Sequence, residues 1–253
     1  MTQTILVTGS TGTLGRVVVE RALGDGDDIR VLSRRQAPRE DLPYQWLIGD
    51  LHSGEGIAAA VNDADVIIHC ATTNGRGDIH AVQTLLNAAT RADVGHLIYI
   101  SIVGVDVVPL GYYRAKLEVE RRLAAGDVPW TVLRATQFHD LVTRLFTIQR
   151  RLPILMLPRG VSVQPIDVRD VADRLVQLAA AGPAGRVPDI GGPQIRAITD
   201  VARAYLRITA RRRPVLRIPV GGKAARGYRA GGHLTPERAV GTIIYEQFLE
   251  AAI

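Results

Sequence analysis

Residues 7–15 read Val-Thr-Gly-Ser-Thr-Gly-Thr-Leu-Gly (VTGSTGTLG), and this stretch decides how the rest of the chain is read. The apolar run TILVTG leading into it has the character of a strand, and LGRVVVERAL beyond it places apolar residues at helical spacing. Three glycines, Gly9, Gly12 and Gly15, thus lie between a strand and a helix. Gly9 permits a sharp turn, Gly12 lets backbone N–H groups approach a pyrophosphate, and Gly15 lets the helix pack close to the strand. The helix N-terminus then offers unsatisfied N–H groups and a positive dipole end to phosphate. A glycine-rich turn that binds nothing is the alternative. The strand–loop–helix context favours a nucleotide.

The pattern that starts here continues. DIRVLSR, YQWLIGD, DVIIHCAT, HLIYIS and WTVLRAT read as strands, and GEGIAAAV, IHAVQTLLNAATRA and YYRAKLEVERRLAAG read as helices among them. Strands apolar almost throughout and alternating with helices imply a parallel sheet covered on both faces. The expected fold is α/β, a Rossmann-type doubly wound parallel sheet with a small C-terminal α/β substrate lobe. Residues 1–150 are expected to form the nucleotide-binding core. Residues 151–253 are expected to supply its final elements, at about 161–182, and the small lobe over the sheet's carboxyl edge. In that region LPILMLP reads as an extended connection, VSVQPID as a strand, and VRDVADRLVQLAAA as a helix capped by Asp167 or Asp170. ITDVARAYLRI and VGTIIYEQFLEAA read as further helices.

Composition narrows the class. The chain has 253 residues, 47% hydrophobic and 22% charged, which suits a globular protein. Cys70 is the sole cysteine, so no internal disulfide is available. No apolar stretch approaches the ~20 residues of a spanning helix, and MTQTILVTGS lacks the features of a signal peptide. A cytoplasmic protein with no membrane partner is expected. The net charge is +6, but the arginines look dispersed and aromatics do not interleave with them, so no nucleic-acid partner is expected. The six histidines lack metal-ligand spacing, and no metal is expected.

The end of the second strand selects the nucleotide. An Asp or Glu about 20 residues beyond the glycines would suit the ribose 2′-OH of NAD. Ser33-Arg34-Arg35 stands there instead. A guanidinium fork suits a 2′-phosphate, which favours NADP(H) over the alternative of two solvated arginines.

The motifs VTGSTGTLG, DVIIHCAT, IYISIVGV, YYRAK, WTVLRATQFHD and VQPIDVRDVAD, in this order, resemble the short-chain dehydrogenase/reductase superfamily, specifically its atypical NmrA-like branch. The resemblance implies phosphate contacts from Thr11, Gly12, Thr13 and Leu14, and 2′-phosphate contacts from Ser33, Arg34 and Arg35. It implies Asp50 and Leu51 by the adenine, and Cys70, Ala71 and Thr72 by the ribose. Thr136, Gln137 and Phe138 would approach the nicotinamide. It also implies that Lys116 holds the nicotinamide ribose and lowers the pKa of Tyr112, which passes the proton that accompanies hydride transfer. Ser101, at the end of the fifth strand, would contact the cofactor.

Tyr112 and Lys116 stand four apart, on one helical face. Either they are this pair, or the tyrosine packs while the lysine snorkels. Only one other lysine, Lys223, occurs among 31 cations. A chain that uses arginine almost everywhere keeps a compact ammonium at 116, where a guanidinium would not serve. The function expected is NADPH-dependent reduction of a small carbonyl, enone or quinone-like substrate. The alternative is a non-catalytic NADP(H) redox sensor that signals to a protein partner.

Overall fold

The computed structural model describes residues 2–38, 41–73 and 75–252. In chain order the elements are β1 (Thr4–Thr8), α1 (Thr13–Gly24), β2 (Asp28–Ser33), β3 (Gln45–Ile48), α2 (Ile57–Val61), β4 (Val66–His69), α3 (Gly77–Arg91), β5 (His96–Ile102), α4 (Gly111–Ala125), β6 (Trp130–Ala135) and α5 (His139–Thr147). There follow β7 (Leu155–Pro158), β8 (Ser162–Val163), α6 (Val168–Ala181), β9 (Gly185–Arg186), β10 (Arg196–Ala197), α7 (Ile198–Ile208), β11 (Val215–Ile218), α8 (Lys223–Arg229), a 3-10 turn (Pro236–Arg238) and α9 (Tyr245–Ala251). The chain divides into two compact units: residues 1–101, 114–133 and 172–187 form the first, and 102–113, 134–171 and 188–253 the second.

A seven-stranded sheet in the order β3-β2-β1-β4-β5-β6-β9 organises the first unit. β1 pairs in parallel with both β2 and β4, so the strand order reverses about β1. The winding expected from the alternating pattern is the one observed. The central strands are buried along their length because helices cover them: Ile5, Leu6, Val7, Ile67, Ile68 and Ile98 are all fully buried. On one face Leu6, Ile67, Leu97 and Tyr99 pack with Val82, Leu85 and Leu86 of α3 and with Val119 and Leu123 of α4. The core therefore fixes the carboxyl ends of β1, β4 and β5, from which the site residues project.

The second unit holds two small sheets, β10 antiparallel to β8 and β11 parallel to β7. Its core gathers Phe146 of α5, Leu155 and Leu157 of β7, and Val201 and Tyr205 of α7. LPILMLP, expected as an extended connection, is extended and also pairs as β7: its prolines stand outside or at the end of the pairing, so the middle is free to bond to β11. Of VGTIIYEQFLEAA only Tyr245–Ala251 is helical. Asp170 holds the preceding residues extended by accepting from Thr242 N, Thr242 Oγ1 and Ile243 N at 3.0, 2.7 and 3.3 Å. That leaves the capping of α6 to Asp167, whose Oδ1 accepts from Arg169 N at 2.9 Å.

Candidate functional site

The glycine loop is built by close backbone approach. Gly9 has φ +70°, and a Cβ on it would lie 2.5 Å from Ala71 N. A Cβ on Gly15 would lie 2.3 Å from Gly9 O, so the loop after β1 is pressed between α1 and the chain leaving β4. Gly12 differs. It is exposed, its nearest neighbour would be Gly9 O at 3.1 Å, and its N–H donates to that same oxygen at 2.9 Å. The first helical bond runs from Arg16 N to Gly12 O, which leaves the amides of Thr13, Leu14 and Gly15 ahead of the helical ladder. No side chain caps α1 and no acid occupies its first turn. Thr11, Gly12 and Thr13 are exposed, while Leu14 is buried as a packing residue. An uncapped helix start beneath an open glycine fits the pyrophosphate of a dinucleotide.

At the neighbouring strand end, Ser10 Oγ reaches Leu32 O at 3.5 Å. Ser33 is buried and its Oγ accepts from Arg35 N at 3.1 Å. Trp46 Nε1 donates to Arg35 O at 2.9 Å, so the backbone of Arg35 is held from both sides while Arg34 and Arg35 extend into solvent. Trp46 was not among the expected site residues. Gly49 N donates to Ser33 O, which brings Asp50 and Leu51 beside this strand end. Asp50 Oδ1 accepts from His52 N at 2.8 Å and orders the turn, and Leu51 leans on the core.

The ends of β4 and β5 carry a buried polar group. Lys116 is 3% exposed, its Nζ donates to Ile100 O at 3.3 Å, and it stands 4.6 Å from the centre of the Tyr99 ring. Burial draws its pKa down to about 8, against the opposing pull of Asp78, Cys70 and Glu120. Asp78, in the first turn of α3, is 2% exposed. It accepts from Thr72 Oγ1 at 2.6 Å, Thr73 N at 2.5 Å and Thr73 Oγ1 at 2.7 Å. Ser101 donates to Glu120 Oε1 at 2.5 Å, one helical turn beyond Lys116. His69 bonds Thr8 Oγ1 through Nδ1 at 2.7 Å and stacks on Tyr99. Burial first, then the Lys116 charge, push His69 down to about 3, so its ring is neutral. Cys70 is half-buried, and the same desolvation lifts its thiol to about 12, with Lys116 opposing. The raised value disfavours the thiolate near neutral pH, so Cys70 fits a small packing residue better than a nucleophile. Cys70, Ala71, Thr72, Ser101 and Lys116 thus share one neighbourhood with the glycine loop. Asp78, His69, Tyr99 and Glu120 belong to it too and escaped the motif reading. The signal available was the pair of threonines followed five residues later by an aspartate in a helix's first turn.

The remaining expected residues lie in the second unit. Tyr112 is half-buried at the start of α4, its ring edge-on to Tyr113 at 6.4 Å. Tyr113 is buried, its hydroxyl accepts from Tyr228 at 3.0 Å, and burial pushes its pKa far above the usual tyrosine value. Thr136 is buried, donating to Gln164 O at 2.6 Å and accepting from Gly192 N at 3.2 Å. Gln137 Nε2 donates to His233 O at 3.1 Å, and Phe138 stands at the N-terminus of α5, bridged to Ile166. His139 is buried with Nε2 on Ile243 O, a structural role. Among the described residues no group of three or more His, Cys, Asp or Glu could hold a metal ion.

Residues 9–181 match the family model described as NAD(P)H-binding. The chain belongs to the NAD(P)H-binding family. This membership fits the resemblance to atypical short-chain dehydrogenase/reductases. A photosystem II assembly factor of Trieres chinensis is 29% identical over 185 residues, 66% of this chain and 57% of the relative. Divinyl chlorophyllide a 8-vinyl-reductase of Oryza sativa subsp. indica is 27% identical over 249 residues, 86% of this chain and 61% of the relative. The chain therefore spans about three-fifths of the length of these relatives. Among solved structures, the NADPH-dependent quinone oxidoreductase of Escherichia coli, complexed with NADPH, superposes with a TM-score of 0.85 at 18% identity over 98% of this chain and 99% of that one. A nucleoside-diphosphate-sugar epimerase of Staphylococcus aureus follows with a TM-score of 0.81 at 16% identity, over 99% and 100%. At these identities the likeness speaks for the fold.

Proposed function

We propose that this NAD(P)H-binding protein is an NADPH-dependent reductase of a small carbonyl, enone or quinone-like substrate. The observation that carries the proposal is Lys116: a buried ammonium kept beside the ends of β4 and β5, in a chain whose other cations are all arginine except the exposed Lys223. When bound, the dinucleotide supplies the hydride. The protein's part is to hold and to protonate. The amides opening α1 bind the pyrophosphate, Arg34 and Arg35 bind the 2′-phosphate, and Lys116 holds the ribose beside Thr72. Tyr112, one helical turn before Lys116, passes the proton to the substrate oxygen or carbon. Tyr113 is the poorer donor because its hydroxyl is engaged by Tyr228 and its acidity is suppressed. The residues beyond the core, in 151–253, shape the substrate site.

A second reading has one observation in its favour. The Ser101 hydroxyl is spent on Glu120 rather than left for a substrate carbonyl, which suits a protein that senses NADP(H) without turnover. Absorbance of NADPH, followed with quinones, enones and aldehydes, separates the readings. Oxidation that Tyr112→Phe abolishes while NADPH still binds supports the reductase; tight binding with no oxidation across the panel favours the sensor. Equal affinity for NADH and NADPH, or unchanged selectivity in Arg34→Ala with Arg35→Ala, removes the assignment to the 2′-phosphate.

A further inference from the structure

Two segments of the second unit, residues 141–166 and 201–236, contain no aspartate or glutamate. Between them they hold 13 of the chain's 31 lysines and arginines, leaving 18 cations against 25 acids elsewhere. The net charge of +6 therefore conceals a basic part in an otherwise acidic chain, a division the linear reading of dispersed arginines did not register. Strands β7 and β11 join the two segments, with Met156 opposite Leu216. Arg213 ties them further, its Nη2 donating to Gln149 O at 2.7 Å and Ile154 O at 3.2 Å.

The two-stranded sheet is apolar on both faces. Leu155 and Leu157 point into the core of this unit. Strand alternation puts Ile154, Met156 and Leu216 on the opposite face, where they are 38%, 41% and 49% exposed. Ile148, Leu152 and Val220 from the same segments are exposed as well, Ile148 to 69%. A sheet with one side on a core ordinarily turns polar residues to water on the other. Here the exposed aliphatics lie in segments that also carry Arg150, Arg151, Arg159, Arg211 and Arg212, all exposed, none of which forms an ion pair among the described residues. Gln149 closes the backbone of Met156 by accepting from its N–H at 3.0 Å and donating to its carbonyl at 3.2 Å. At that position an incoming strand has no ladder to join, so a ligand must engage the side-chain face.

We propose that this face docks the protein onto the surface of an anionic phospholipid membrane, the aliphatic side chains entering the headgroup boundary and the arginines meeting lipid phosphates. Charge complementarity selects the occupant: two acid-free segments whose exposed Arg150, Arg151, Arg159, Arg211 and Arg212 form no ion pair among the described residues call for an anionic partner. No aromatic side chain is among the exposed large hydrophobics, so the face lacks the stacking platform that single-stranded nucleic acid uses. Among the described residues no helix is long and apolar enough to cross a membrane. The surface described is one that lies on a bilayer, and spanning is not required for it.

Flotation with vesicles tests the proposal. The full chain is expected to float with phosphatidylglycerol-containing vesicles at low salt, to stay behind with pure phosphatidylcholine, and to dissociate as salt is raised. Met156→Ser combined with Leu216→Ser is expected to weaken binding at least tenfold. Arg150→Gln with Arg151→Gln is expected to weaken it by about fivefold per arginine. Both pairs are exposed, so thermal unfolding should match the parent and exclude misfolding. No flotation with anionic vesicles at low salt would overturn the proposal, as would binding undiminished in both double variants. Displacement from vesicles by a single-stranded oligonucleotide that binds more tightly would reassign the arginines to nucleic acid.

Discussion

Lys116 illustrates what one side chain can be made to do by its surroundings. Below pH 8 it is charged inside the fold, with Asp78, Glu120 and the Tyr99 ring offsetting part of the lost hydration. Between about pH 8 and 10.5 the unfolded chain still binds this proton while the folded one has released it, so its contribution to stability rises with pH across that window. Chemical denaturation of the free protein at pH 8 and pH 10 should show the rise, and Lys116→Met should flatten it. NADPH affinity should move the other way, falling above pH 8 as the ammonium is lost. Asp78 is the residue to test beside it. Asp78→Ala removes the acceptor that Thr72 Oγ1, Thr73 N and Thr73 Oγ1 share; both threonines are exposed and can turn to water, so a loss of about 0.5–1.5 kcal/mol for each hydrogen bond removed is expected in urea unfolding. Asp78→Asn should keep more of the fold yet shift the pH limit of NADPH binding downward, because it removes the leading opposition to Lys116 deprotonation.

At the scale of the element, the loop between β1 and α1 separates packing from binding. Gly15→Ala would drive a methyl group into Gly9 O, and a clear fall in thermal midpoint is expected because the helix must move off the strand. Gly12→Ala meets only the 3.1 Å approach of the same oxygen, so the fold should survive while the open floor beneath the phosphates is filled. A thermal scan and an NADPH titration on both variants distinguish the two roles. Helix α6 offers another case: Asp167→Ala should cost at least about 1 kcal/mol, because it removes the cap bond to Arg169 N together with both bonds to the Arg169 guanidinium. Asp167 and Asp170 were equivalent in the linear pattern. The choice was made by residues more than 70 positions away, Thr242 and Ile243, which engage Asp170. The same distance effect turned half of VGTIIYEQFLEAA away from helix, although its apolar spacing allowed one.

At the scale of the whole molecule, buried histidines govern the response to acid. Burial pushes His69 down to about 3 and His96 to about 4, and lowers His139 and His233 as well. Unfolding restores the ordinary value of 6.5, so the unfolded chain takes up protons that the folded one refuses. Stability should be intact above pH 6.5 and fall as the pH drops toward 4, with a slope of up to about 1.4 kcal/mol per pH unit for each histidine. Urea midpoints between pH 7 and pH 4.5 test this. A flat profile would mean that these rings protonate without unfolding.

Period and punctuation were legible without coordinates. Apolar runs between helical patterns imply a parallel doubly wound sheet because such strands must be covered on both faces, and glycines at 9 and 15 imply a close strand–turn–helix approach because a Cβ at either would meet backbone. These are local properties, and they survived folding unchanged. What tertiary structure decided was everything that depends on residues distant in sequence. It made Asp78 an anchor for Thr72 and Thr73, engaged Ser101 with Glu120, held Arg35 through Trp46, and placed two acid-free segments side by side as a paired sheet. A side chain's burial, and with it its charge and its hydrogen-bond partner, is set by what the fold brings against it, and linear spacing carries no measure of that.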